Sequence, residues 1–193
     1  MDKLDPKTTA LVVIDLQKPI VAMPLAPHSG VDVVKRTSDL ARAVRACGGI
    51  VAQVRVRFHD GKEALNQPSD EPSMSRSMAS LPADFFEFAP DLSVEDADLQ
   101  IVKKQWGAVY GTDLDLQLRR RGVTTVILCG VATNFGVEST ARDLWELNYA
   151  LVFAEDAISS RSEELHRFPI QHIFPRLGRV ASTADVLTAL KAA

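Results

Sequence analysis

Short apolar runs rich in β-branched residues recur along this chain and alternate with amphipathic stretches that close on glycine. A parallel sheet crossed by helices satisfies that alternation, and few other architectures do. Six runs read as strands: TALVVID (9–15), GIVAQVRVRF (49–58), LQIVK (99–103), TTVILCG (124–130), YALVFAED (149–156) and RVAS (179–182). Between them lie helical patterns. The stretch 31–48 carries the stripe Val31, Val34, Leu40, Ala41 and Val44 and stops at Gly48 and Gly49. In TDLDLQLRRRG (112–122), Thr112 is placed to cap, Asp113 and Asp115 suit the positive end, Arg119 to Arg121 suit the negative end, and Gly122 closes the helix. Further helices are expected over 134–148, over 162–177 with a disturbance at Pro169, and over 183–191. The pattern predicts one α/β domain over 1–193, an open, mostly parallel sheet with helices on both faces.

From Phe58 to Asp98 the periodicity degrades, and Pro68, Pro72, Pro82 and Pro90 interrupt a polar segment that carries Phe85, Phe86 and Phe88. A connection that long reads as a lid, a subunit contact or a surface excursion whose aromatics complete the core. A net charge of −3 gives no general attraction to nucleic acid or to an anionic membrane. The first apolar run is too short to span a bilayer and its lead too polar for a signal peptide, so a cytoplasmic protein with a small-molecule substrate is expected. Cys47 and Cys129 show neither CxxC nor zinc spacing and read as reduced, packed thiols; no metal or other cofactor is expected.

In sheets of this type ligands gather at the carboxyl ends of strands. Asp15 ends the first strand, Lys103 the third, and GVATNFG (130–136) follows the fourth, so right-handed crossovers bring all three to one edge. Asp15 leaves a run of four apolar residues, where burial raises a carboxyl pKa and a nearby cation lowers it. It suits an acid or base, or a residue that merely caps the turn. Lys103, beside Lys104, reads as a solvated strand-end lysine or as a site cation. Gly130 and Gly136 permit backbone geometries that other residues resist, and the N–H groups past Thr133 and Asn134 suit an oxyanion, or else the stretch is a tight turn without ligand.

The segments ALVVIDLQ, IVKKQWGAVYGTDLDLQL, GVATNFGVESTARDLWE and AEDAISS resemble the isochorismatase-like hydrolase superfamily, also called the cysteine hydrolases, over nearly the whole chain. The resemblance implies a three-layer α/β/α Rossmann-like fold with a six-stranded sheet, a catalytic Asp-Lys-Cys set, and a homo-oligomer, dimer or larger. Asp15 and Lys103 match the aspartate and lysine, and a non-proline cis peptide would fall between Val131 and Ala132. Gly136 stands where the family carries its nucleophilic cysteine, so a covalent thiol mechanism loses its attacking atom. Family isochorismatases also lack that cysteine and hydrolyse a vinyl ether through protonation by an acid and addition of water. The resemblance therefore implies a hydrolase of a small anionic substrate with Asp15 as general acid, Lys103 as its partner, and the backbone of Val131, Ala132, Thr133, Asn134, Phe135 and Gly136 around an anionic oxygen. Arg57, near the position of a substrate-binding glutamine, and Trp106, at a common aromatic position, are expected to line the pocket. His59 beside Asp60 does not reproduce the family's Asp-x-His metal element. Two alternatives stay open: an amidase that recruits Cys129, and a binding protein that kept the fold without catalysis.

Overall fold

The computed structural model describes residues 2–60, 62–71, 81 and 83–191. Strands β1 (Thr9–Ile14), β2 (Ile50–Val56), β3 (Leu99–Lys103), β4 (Thr125–Val131), β5 (Ala150–Ser159) and β6 (Gly178–Ala181) form one sheet in the order β3-β2-β1-β4-β5-β6. Every pairing is parallel, so the expectation of a mostly parallel sheet tightens to a fully parallel one. All of β1, and all of β4 after its first residue, are buried. A strand covered on both faces has no wet side, which is why these two read as unbroken apolar runs.

The connections run leftward from β1 through β2 to β3 and then reverse to β4, β5 and β6, which puts a switch point between the carboxyl ends of β1 and β4. Right-handed crossovers then place the helix that follows β1 on one face and those flanking β4 on the other. The helices are α1 (Lys18–Val21), α2 (Gly30–Ala46), α3 (Leu114–Arg120), α4 (Glu138–Glu146), α5 (Glu163–Phe168), α6 (Phe174–Leu177) and α7 (Thr183–Lys191), with π turns at Thr133–Val137 and Pro169–Ile173. The second π turn is the disturbance expected at Pro169.

The stripe on α2 differs from the one read in the sequence. Val33, Thr37, Leu40 and Val44 are buried, whereas Val31 is 78% exposed. Successive residues turn by about 100°, so Val31 stands roughly 160° round the helix from Val33. The fifth strand also continues past Asp156 to Ser159, because one residue of β4 between Leu128 and Gly130 is matched by four of β5 between Phe153 and Ile158. Asp156 lies in that bulge and accepts from the Thr183 amide and hydroxyl, both at 2.6 Å, fastening α7.

The long segment after β2 is tied to the body at two places. Phe86 is buried edge-on against Phe58 with ring centroids 6.3 Å apart, and Phe88 bridges Gln17. Nearer β3, the Asp98 carboxylate receives Arg45 Nε at 2.9 Å and Nη2 at 2.6 Å, and Gln53 Nε2 at 3.1 Å. So many donors satisfy a buried charge that would otherwise destabilise the fold. Pro72 and Pro82 lie outside the described residues.

Candidate active site

Asp15 follows the last residue of β1 with φ +53°, a left-handed conformation that aspartate tolerates better than most residues. Its backbone is pinned on both sides: its N–H donates to the Val54 carbonyl at 3.0 Å and its carbonyl accepts from the Gln17 amide at 2.8 Å. Gln17 is fully buried and clamps the next strand, donating to the Val56 carbonyl at 2.9 Å and accepting from the Val56 amide at 2.8 Å. Asp15 is thereby aimed into the switch-point crevice.

Lys103 ends β3 in register with Val56, and its side chain is fully buried. Its ammonium donates to Asp15 Oδ2 at 2.7 Å and to the Trp106 carbonyl at 2.5 Å. Lys104 points elsewhere and bonds the Arg57 carbonyl and Glu63. The alternative of a solvated strand-end lysine therefore fits Lys104, not Lys103. Burial raises the Asp15 pKa, while the charge and hydrogen bond of Lys103 pull the other way and fall short. Asp15 Oδ1 is buried and has no hydrogen-bond partner among the described residues.

The turn after β4 closes the crevice. Gly130, at φ +115°, runs so close to β1 that a Cβ there would sit 2.1 Å from the Ile14 carbonyl oxygen. Gly136 is small for another reason: its φ lies outside the left-handed region, so backbone freedom does not explain it. A Cβ at Gly136 would stand 2.9 Å from Ile14 Cγ2, 3.1 Å from Lys103 Nζ and 3.2 Å from Asp15 Oδ2. Asp15, Lys103 and Gly136 thus meet at one point.

The peptide between Val131 and Ala132 is cis. The Phe135 and Val137 amides both donate to the Ala132 carbonyl, at 3.2 and 3.1 Å, so neither of these two N–H groups is left for an anion at this turn. Two side-chain clasps hold the turn: Thr133 Oγ1 lies 2.9 Å from His166 Nδ1, and Ser160 Oγ donates to Asn134 Oδ1 at 2.6 Å. Burial pushes the His166 pKa down to about 4, so the clasp is neutral at ordinary pH. Trp106 is 62% exposed and its ring leans on Phe135 at a centroid distance of 4.8 Å, so it is not packed into the core.

Arg57 is not brought to this point. It is exposed, one residue past the end of β2, and its backbone holds it there, the N–H donating to the Lys103 carbonyl and the carbonyl accepting from the Lys104 ammonium. Cys129 is fully buried inside β4, its Sγ 3.9 Å from the Val12 carbonyl, and burial pushes its thiol up to about 12. Such a thiol is protonated and inert near neutral pH. His59 is exposed and donates its amide to Glu63.

The chain matches the isochorismatase domain model over residues 9–185. It is 51% identical to the uncharacterized isochorismatase family protein YecD of Escherichia coli, covering 98% of this chain and all of that one. An isochorismatase family protein of Burkholderia thailandensis superimposes with a TM-score of 0.94 at 47% identity, covering 99% of both chains. A cysteine hydrolase of Pseudomonas syringae pv. phaseolicola superimposes with a TM-score of 0.83 at 25% identity, covering 100% of this chain and 96% of that one. With the fold and this breadth of similarity together, the chain belongs to the isochorismatase-like hydrolase family.

Proposed function

We propose that the protein adds water to a small anionic substrate of vinyl-ether type, with Asp15 as general acid and without a covalent thiol intermediate. The observation that carries this reading is the division of labour within one carboxyl group. Oδ2 is fixed by the Lys103 ammonium at 2.7 Å, whereas Oδ1 is desolvated and unpartnered. A proton on Oδ1 leaves the Lys103 bond to Oδ2 in place, so the neighbouring cation and a protonated acid are compatible.

In the proposed step the Oδ1 proton goes to the terminal carbon of the enol ether, and the positive charge settles on the ether carbon and its oxygen. Water adds to that carbon and returns a proton to Asp15. The hemiketal collapses to a ketone and an alcohol, so the acid is regenerated. Lys103 orients the carboxyl, and backbone N–H groups at the start of the 132–136 turn meet anionic oxygen of the substrate. Trp106 and Phe135 form an aromatic rim for it. Gly136 contributes space and no nucleophile, in the position that the family gives to cysteine.

A thiol amidase would need Cys129, which is sealed between strands with its proton retained. A binding protein without catalysis has no use for an ion pair this deeply desolvated. The test is a panel of vinyl ethers, amides and imides on wild type, Asp15→Asn, Lys103→Ala and Cys129→Ser. Vinyl-ether turnover should fall by about 10² or more in Asp15→Asn and persist in Cys129→Ser. Amide turnover that depends on Cys129, or a trapped thioester, refutes the proposal. Tight metabolite binding with no turnover, unaffected by Asp15→Asn, would establish the binding protein instead.

A further inference from the structure

The Asp15–Lys103 pair is enclosed by two segments that come from different parts of the chain. One is the loop after β3, whose Trp106 carbonyl receives the Lys103 ammonium at 2.5 Å. The other is the turn after β4, which presses Gly136 against both charged groups. Neither segment is hydrogen-bonded to the other through a strand ladder, because β3 and β4 are separated in the sheet by β2 and β1. Their separation must be set by something else.

Thr140 lies one helical turn beyond Gly136 on α4 and is fully buried. Its hydroxyl donates to the Gly136 carbonyl at 2.7 Å and accepts from the Ala108 amide at 3.0 Å. Ala108 is two residues past Trp106. The contacts therefore close a ring that runs from Asp15 to Lys103, through Trp106 to Ala108, across Thr140 to Gly136, and back to Asp15 and Lys103. A threonine inside a helix commonly spends its hydroxyl on the carbonyl four residues earlier, with little gain. Here the same oxygen also satisfies a buried N–H from another segment, and both of its roles are used.

We propose that Thr140 is a positioning residue for the Asp15–Lys103 pair: its hydroxyl sets the gap between the loop that holds the ammonium and the turn that walls it. With that gap fixed, the ammonium stays on Asp15 Oδ2 and leaves Oδ1 to the substrate. Without the hydroxyl, the Ala108 amide loses its buried acceptor and the loop moves to find another, carrying the Trp106 carbonyl with it.

The turnover arm of the test rests on the proposed function; the titration arm does not. Full-length Thr140→Val, which keeps the shape, and Thr140→Ser, which keeps the hydroxyl, are compared with wild type. The Asp15 carboxyl is followed against pH by carbon-13 NMR. Thr140→Val should move its titration midpoint by about one pH unit, a tenfold change in the protonation equilibrium, and Thr140→Ser should restore the wild-type midpoint to within about a third of that shift. In turnover of a vinyl ether, Thr140→Val should lower kcat about tenfold with KM within about twofold, the signature of a loss felt at the transition state.

If Thr140→Val does not fold, Thr140→Ala removes the hydroxyl without a misplaced methyl and carries the same expectation. An unchanged Asp15 midpoint in a folded variant without the hydroxyl overturns the proposal, whatever its melting temperature. A midpoint that moves equally in Thr140→Ser also overturns it, because the hydroxyl is then not the agent. A shifted midpoint with no vinyl-ether turnover in wild type supports the positioning role and refutes only the proposed reaction.

Discussion

Gly136→Ala adds one methyl group at the point where Asp15, Lys103 and Ile14 converge. The new Cβ would sit 2.9 Å from Ile14 Cγ2, 3.1 Å from Lys103 Nζ and 3.2 Å from Asp15 Oδ2. Comfortable separations are about 3.5–4.0 Å, so each neighbour must yield by several tenths of an ångström. Lys103 cannot swing away cheaply, because it is fully buried and bonded to Asp15 and to the Trp106 carbonyl. Overpacking of this kind costs about 1–3 kcal/mol. Against it stands the loss of unfolded-state freedom on replacing glycine, worth about 0.4–1 kcal/mol where the native φ suits alanine, as it does here. The net expectation is a loss of about 1–2 kcal/mol. For a chain of this size that lowers the melting temperature by roughly 2–8 °C. Thermal and urea unfolding of the two proteins measure it, with vinyl-ether turnover as a second readout that falls with the displaced ammonium. A variant as stable as wild type, or more stable by the full backbone contribution, would refute the picture of a pair pressed against residue 136.

Lys103→Met leaves the Asp15 carboxyl buried with no opposing charge. Its folded pKa, already raised by burial, then rises further, so the carboxyl's contribution is retained below its unfolded value and lost as pH rises through the folded one. Urea melts from acid to neutral pH should show a penalty that grows with pH toward about 3–5 kcal/mol; a penalty that shrinks with pH would contradict the assignment. His166 shows the opposite dependence: its folded pKa is depressed to about 4, so the unfolded chain takes up the proton first and stability is lost as pH falls from about 6.5 toward that value. The loss is at most roughly 3 kcal/mol, and His166→Asn should flatten the curve in this window. A thiol reagent should label Cys47, which is partly exposed, in the native protein and Cys129 only after unfolding. Rapid native labelling of Cys129 would reopen the amidase reading.

The six strands were legible because central parallel strands admit only apolar residues, and that composition is visible without coordinates. Asp15, Lys103 and the 130–136 turn were legible for a related reason: topology sends the ends of parallel strands to a common edge. The placement of Val31 was misread because apolar character at one helical position says nothing about its angle until the whole stripe is weighed. Gly136 was expected to serve backbone freedom, and the structure shows a steric need set by residues more than thirty positions away. Gln17, Thr140 and His166 were not foreseen as supports. Each works through hydrogen bonds to distant backbone or side-chain partners, and a polar residue carries no local mark of which partner it will find. Gln17 and Thr140 nevertheless stand inside two of the four segments that carried the family resemblance, and buried polarity within such a segment is the signal to look for.

The double fastening of the connection between β2 and β3 has a bearing on how this scaffold diversifies. Arg45 and Asp98 anchor the end nearer β3, Gln17, Phe58 and Phe86 pin the chain nearer β2, and the stretch 66–71 between Phe58 and Phe86 is exposed. Residues gained or lost there cost only loop-closure entropy, about 0.6 kcal/mol for each doubling of length. That exposed stretch is free to be rewritten over evolutionary time while the buried carboxylate and its ammonium keep their places, so the tether can be edited without disturbing the floor.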